Sequence, residues 1–175
     1  MKRIIYILLL SLLTGSFTQA QSFKLPAYQK FTLKNGLTVY LMEQHEVPII
    51  SVSAILPAGA IYDGEKSGLA SLTATALKHG TKNYNKEKLD NELDFLGASI
   101  NSFASKESAG LSARMAAKDK DKVMLLLKEI MLEPVFDSTE FGKEKKRLLV
   151  SLEQQKESPR SVINSYFDKF LYGDH

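Results

Sequence analysis

Gly68-Leu69-Ala70-Ser71-Leu72-Thr73-Ala74-Thr75-Ala76-Leu77-Lys78-His79-Gly80-Thr81 is the stretch from which the architecture of this chain can be worked out. Its apolar residues Leu69, Leu72, Ala76 and Leu77 recur at helical spacing, which predicts a helix over residues 68–78. Ser67 is the candidate N-cap, because a hydroxyl can accept one of the amide protons that a first helical turn leaves open, and Gly80 supplies the stop. A second helical pattern starts after Asn85, sets Leu89, Leu93 and Leu96 on one stripe and ends at Gly97. Two helices in succession with no strand between them disfavour alternating strand-helix units with a parallel sheet.

The segments on either side read as strands. Phe31-Thr32-Leu33 and Leu37-Thr38-Val39-Tyr40-Leu41 flank Lys34-Asn35-Gly36, and an Asn-Gly pair between β-rich segments predicts a hairpin. A third strand is expected over residues 48–56, stopping before Pro57-Ala58-Gly59. Downstream, residues 98–104 and 110–115 read as an antiparallel pair joined by the polar turn at Ser105-Lys106-Glu107. Val123, Leu126, Leu127 and Ile130 then mark an amphipathic helix over residues 121–132, bounded by Pro134. Asp137 or Ser138 caps a long charged helix to about Glu157. Ser158-Pro159 opens a last helix through Val162, Ile163, Tyr166, Phe167 and Phe170. The order predicts an α+β fold, an antiparallel sheet with helices packed on one face.

These motifs resemble a known family. Gly68-Leu69-Ala70, Leu77, Gly80-Thr81 and Leu96-Gly97-Ala98-Ser99-Ile100-Asn101 are similar to the pitrilysin/insulinase metallopeptidases, which include the mitochondrial processing peptidase. The Asn35-Gly36-Leu37-Thr38-Val39 hairpin and the closing Leu171-Tyr172-Gly173-Asp174-His175 resemble the same family, so the likeness covers residues 28–175. It implies a metallopeptidase-like α/β roll.

In active relatives the helix after Gly-Leu-Ala carries H-x-x-E-H. Two histidines four apart bind zinc on one helix face, and the glutamate takes a proton from the zinc-bound water, whose pKa the metal lowers to about 7. Laid over this sequence, the first histidine position is Ser71, the glutamate is Ala74 and the second histidine is Thr75. Neutral hydroxyls are poor zinc ligands beside imidazole or carboxylate, and a methyl group accepts no proton. The family's later helix carries a glutamate and, seven residues on, the glutamate that binds zinc. Here Glu144 matches the first and Ser151 stands at the second. Glu153 is two residues further, roughly 200° around the helix axis, and does not simply substitute. The resemblance therefore implies no catalytic residue and no metal site in this chain, with zinc expected in an active partner half.

The three histidines leave that expectation in place. His79 is expected to cap the turn before Gly80, where a cation is favoured, and a displaced zinc site using it is the alternative. His45 reads as an exposed loop residue, and His175 is the last residue. Asn101-Ser102-Phe103-Ala104 has two readings. The resemblance makes it the strand that pairs with an extended peptide at the cleft, although Ala104 stands where relatives often have threonine. The other is an ordinary sheet strand with Phe103 in or near the core.

Met1-Lys2-Arg3, the apolar run from Ile4 to Leu13 and the polar approach to Thr18-Gln19-Ala20 form a bacterial-type secretory signal peptide over residues 1–20. The run is about half of what a membrane-spanning helix needs, ~20 residues, so no stable membrane anchor is expected after cleavage. The localisation expected is periplasmic or otherwise extracytoplasmic. Without cysteine, a lipoprotein anchor, disulfides and thiolate metal sites are excluded. Of 23 basic and 20 acidic residues, Lys2 and Arg3 fall in the leader and no acid does, leaving 21 against 20, a net charge of +1. No basic stripe remains to suggest nucleic acid, and Lys143 to Arg147 reads as a solvated helix face. Residues 21–175 are expected to form one N-terminal peptidase-like domain, cut short after its aromatic last helix.

The function expected is that of a non-catalytic domain supporting proteolysis. It would pair with a zinc-bearing homologue, or with a downstream half of the same polypeptide, and shape a chamber for an extended peptide. The alternatives are a zinc metalloendopeptidase with an unrecognised ligand set and a stand-alone periplasmic peptide-binding or scaffold module.

Overall fold

A computed structural model describes residues 25–173; the signal peptide expected over residues 1–20 and His175 lie outside them. The described residues fall into two compact units divided between Glu46 and Val47. The first holds the hairpin read from Asn35-Gly36. Strands β1 (Gln29–Thr32) and β2 (Thr38–Leu41) pair antiparallel with Phe31 opposite Val39. Gly36 takes a positive φ of 87°, and Asn35 Oδ1 accepts from the Leu37 amide, so both turn residues serve the hairpin. His45 is exposed, as read.

The second unit contains a three-stranded antiparallel sheet of β3 (Ile49–Leu56), β4 (Ser99–Ala104) and β5 (Ala109–Ala116) in the order β3-β5-β4. The last strand in sequence lies in the centre because the β4–β5 hairpin is short, while β3 reaches β5 only after a crossover through two helices. Five α-helices accompany it among the described residues: α1 (Leu69–Ala76), α2 (Lys86–Phe95), α3 (Lys120–Leu132), α4 (Ser138–Glu157) and α5 (Pro159–Tyr172).

The strand period of two sorts the sheet into unlike faces. Ile50, Val52 and Ala54 align through the register with Met115, Ala113 and Leu111, and the last two with Ile100 and Ser102. This face packs on Leu89 and Leu93 of α2 and on Val123, Leu126, Leu127 and Ile130 of α3, forming the core. The opposite face carries Ser51, Ser53 and Ile55, then Arg114, Ser112 and Gly110, then Ser99, Asn101 and Phe103. The sheet thus has its helices on one face.

Two local expectations are corrected. Ser67 does not cap α1. The N-cap is Gly68 in the left-handed region, and Asp63 supplies the acceptor, its Oδ2 taking the Gly68 amide and its Oδ1 the Ala70 amide, both at 2.8 Å. A carboxylate reaching back across the turn satisfies two open donors and sits at the positive end of the helix, which a hydroxyl does less well. Phe103 lies outside the core cluster, on the face away from the helices. The neighbouring strand offers Gly110 opposite it, leaving room for the ring; a Cβ on Gly110 would stand 2.9 Å from Phe103 Cζ. Elsewhere the caps follow the sequence: Asn85 accepts from the Lys88 amide, and Asp137 from those of Thr139 and Glu140. Ser158 precedes Pro159 as the N-cap of α5 without a side-chain cap bond.

Candidate functional site

The site to test is the one that α1, α4 and β4 would build together. Helix α1 packs against both β4 and α4. Its far end is stitched into the fold by the Gly80-Thr81 frame. Gly80, at φ 132°, bridges Asn85, and a Cβ there would crowd the Tyr84 carbonyl oxygen at 3.2 Å. Thr81 is buried, bridges Pro134 and accepts the Tyr84 amide on its hydroxyl. The two glycine-flanked ends that carry the family resemblance therefore position the helix.

Between those ends the side chains lack metal chemistry. Ser71 is exposed, Thr75 is half-buried and Ala74 is buried. The Thr75 hydroxyl donates to the Ser71 carbonyl oxygen at 3.0 Å, one turn back along its own helix. Ala74 instead joins the lining of an apolar cavity of about 460 Å³ that also involves Leu56, Leu69, Leu77, Met131 and Leu132. Ser151 is exposed in a shallow hollow of about 430 Å³ lined entirely by α4, beside Lys143, Lys146 and Arg147. Ser71, Ala74 and Thr75 share one turn of α1, while Ser151 stands on α4, the helix that packs against it. Three cationic side chains around Ser151 also disfavour a metal ion there. Glu144 is committed to Arg147 at 2.8 Å. A zinc ion needs imidazole or carboxylate donors converging on one point, and this donor set does not fit it. Among the described residues no group of three or more His, Asp or Glu side chains could hold a metal ion.

His79 corrects another expectation. Its ring is buried, with Nδ1 lacking a hydrogen-bond partner among the described residues, so it does not cap a carbonyl of the α1 turn. It lines a polar cavity of about 560 Å³ with Asp137 and Glu140 at the start of α4. The Glu140 carboxyl is held below the usual carboxylate range, first by its hydrogen bond from Lys143 at 2.6 Å, with the Lys143 and His79 charges adding. Asp137 is occupied as the cap of α4.

The candidate peptide strand stands at a sheet edge. Ser105 donates its amide to the Ser108 carbonyl at 2.7 Å, which fixes the parity of the β4–β5 ladder. By the antiparallel alternation, Asn101 and Phe103 turn their backbone groups toward β5, and Ser102 and Ala104 turn theirs outward. Among the described residues nothing bonds those outward groups. Asn101 is exposed and the other three are half-buried. Sequence reasoning missed the apolar cavity and the role of Asp63. The cavity had no local signal, because four separate segments line it. Asp63 precedes its helix by six residues, beyond the spacing of an ordinary cap.

The sequence model of the family described as Insulinase (Peptidase family M16) matches residues 38–174. The chain is 30% identical over 156 residues to the mitochondrial cytochrome b-c1 complex subunit 1 of Bos taurus, covering 88% of this chain and 32% of that protein. It is 25% identical to an uncharacterized zinc protease of Rickettsia felis, covering 81% of this chain and 35% of that one. Among solved structures, the peptidase M16 inactive domain from Pseudomonas fluorescens superimposes with a TM-score of 0.81 at 26% identity, covering 85% of this chain and 37% of that chain. A protease from Helicobacter pylori shares the fold with a TM-score of 0.69. The chain spans about a third of the length of these relatives. It belongs to the insulinase (M16) peptidase family.

Proposed function

We propose that this chain is a non-catalytic M16 domain that supports proteolysis by pairing with a zinc-bearing half and shaping the chamber that holds the peptide. The observation that carries this is the chemistry of α1. The family's helix frame is intact at both ends, while Ser71, Ala74 and Thr75 present two hydroxyls and a buried methyl in place of two ligands and a base. Loss of every active group from a retained scaffold fits a domain kept for its surfaces. The inactive-domain relative supports the same reading, as does the likeness to a subunit of a larger complex.

In this proposal β4 contributes the peptide-holding edge. Outward backbone groups at Ser102 and Ala104 offer main-chain pairing to an extended segment, and the exposed Asn101 stands beside them. The catalytic zinc belongs to the partner, which is a homologue bearing H-x-x-E-H or a further half of the same polypeptide. Residues 1–20 direct the chain out of the cytoplasm, where both the partner and an extended peptide substrate would be met.

The test is co-expression with an H-x-x-E-H homologue encoded beside it, followed by co-purification and a peptide-cleavage assay. The expected result is a stable complex whose cleavage falls when this chain is omitted. Unchanged cleavage without it would reject the role. A stable complex with no peptidase homologue would instead favour a stand-alone peptide-binding module.

A further inference from the structure

Ser151 stands where the family resemblance puts a zinc ligand, and its surroundings are positively charged. The shallow hollow of about 430 Å³ on α4 is lined by Lys143, Lys146, Arg147, Val150, Ser151 and Gln154. Successive members are one, three or four residues apart, so they form a single stripe along one helix face, and all of them are exposed. At about 1.5 Å per residue the stripe is about 16 Å long, which matches roughly five residues of extended chain. No carboxylate lines it. Over residues 143–147 the cations Lys143, Lys145, Lys146 and Arg147 stand against the one carboxylate of Glu144. Lys143 is paired with Glu140 at 2.6 Å and Arg147 with Glu144 at 2.8 Å, whereas Lys146 has no ion pair among the described residues. A solvated helix face commonly alternates the two signs. Here the first half of the stripe is cationic, and the second half adds a hydroxyl at Ser151 and an amide at Gln154, both able to donate.

We propose that this stripe is a subsite for peptide carboxylates, so that the chamber this domain helps to form favours acidic peptides. The inference rests on the chamber role proposed above and names the substrate class that role would serve. Ammonium and guanidinium groups donate and do not accept, and Ser151 and Gln154 extend the row of donors, so the chemistry that satisfies the stripe is an acceptor with negative charge. A basic peptide side chain brought to the same place meets Lys146 with no acid to offset it and is repelled. Helix α4 packs against α1, and α1 against β4, so the stripe and the peptide-holding edge are carried on elements packed in succession. Their contributions differ. Strand β4 pairs with main chain whatever the sequence, while the stripe discriminates by charge.

The test uses the co-purified complex of this chain with the H-x-x-E-H homologue. Its substrates are extended peptides in which a pair of glutamates is moved along a neutral sequence, each beside its glutamine counterpart. At low salt one placement of the pair is expected to lower KM about fivefold relative to glutamine with kcat little changed. The advantage should vanish in about 1 M salt, where charges are screened beyond ~3 Å. Lys146→Glu should abolish it. Lys145→Glu makes the same change of net charge about 100° around the helix axis, off the stripe, and should keep most of it. Should Lys146→Glu fail to join the complex, Lys146→Gln is read in its place and should reduce the advantage. Equal KM for glutamate and glutamine peptides, with cleavage still dependent on this chain, would overturn the subsite and leave the chamber role standing. Cleavage that does not depend on this chain would reject the chamber role and the subsite with it. Equal losses in Lys145→Glu and Lys146→Glu would assign the preference to net charge and overturn the subsite as well.

Discussion

Thr75 Oγ1 donates to the Ser71 carbonyl oxygen across 3.0 Å, so the two positions that would ligate zinc in an active relative are bound to each other through one turn of their own helix. The residue between them, Ala74, is 6% exposed and lines an apolar cavity. The fold has closed over the position of the catalytic base.

Ala74→Glu is therefore expected to destabilise the chain by about 2–4 kcal/mol, since a carboxylate there enters an apolar lining without a partner. Burial raises the folded-state pKa of such a group above its unfolded value. The folded protein then holds the proton over a window where the unfolded chain has lost it, so stability falls as pH rises through that window. Urea titrations at pH 5 and pH 8 should show the larger penalty at pH 8. An equal penalty at both values would mean that the carboxylate reaches solvent.

Asp63 holds the start of the same helix through two backbone amides at 2.8 Å. Asp63→Ala leaves both open and is expected to cost about 1–2 kcal/mol. Ser67→Ala, at the cap position suggested by sequence, should change the urea midpoint very little. If the two substitutions proved equal, Asp63 would not be the cap.

Two glycines should respond in opposite directions. A Cβ on Gly110 would stand 2.1 Å from the Ala54 carbonyl oxygen, inside the β3–β5 ladder, where the backbone has to move. Gly110→Ala is expected to lose about 2–3 kcal/mol or more. A Cβ on Gly142, within α4, meets nothing within 4 Å, so Gly142→Ala should gain about 0.5–1 kcal/mol from helix propensity. Thermal unfolding of the two variants beside the parent measures both.

The fold was legible where one segment's own pattern decides its fate. The stripe Leu89, Leu93 specified its helix and its buried face. Asn35-Gly36 specified its turn. What could not be read was set by partners distant in sequence. The placing of β5 between β3 and β4 depends on register across a crossover, and the position of Phe103 depends on Gly110 being opposite. The burial of His79 depends on α4, which begins some 60 residues later. The candidate site divided along the same line. The identities at Ser71, Ala74, Thr75 and Ser151 are sequence facts, whereas the gathering of Lys143, Lys146 and Arg147 around Ser151 is a property of the folded α4.

The start of α4 predicts an acid-dependent component of stability. The Lys143 hydrogen bond, aided by the Lys143 and His79 charges, depresses the folded-state pKa of Glu140. A depressed carboxyl contributes stability that is present above its unfolded pKa, ~4.3, and is lost as pH falls through the lower folded value. Glu140→Gln removes the titration. Urea midpoints of parent and variant should differ at pH 6 and converge as pH falls below about 4. A gap that stays constant down to pH 2.5 would assign the difference to packing and not to charge.

The edge role of β4 makes the sharpest functional prediction. Ser102 turns its amide outward, so Ser102→Pro removes a donor that an incoming peptide would use while sparing the ladder to β5. Asn101→Pro removes an amide that faces β5 and should unfold the hairpin. If β4 holds the peptide, Ser102→Pro leaves the complex with the zinc-bearing homologue intact and raises KM for an extended peptide about tenfold, the loss of roughly one main-chain hydrogen bond. The value of kcat should move less, because the proposed arrangement puts the reacting groups in the partner. Parental KM in a folded, complexed Ser102→Pro protein would remove β4 from the peptide path.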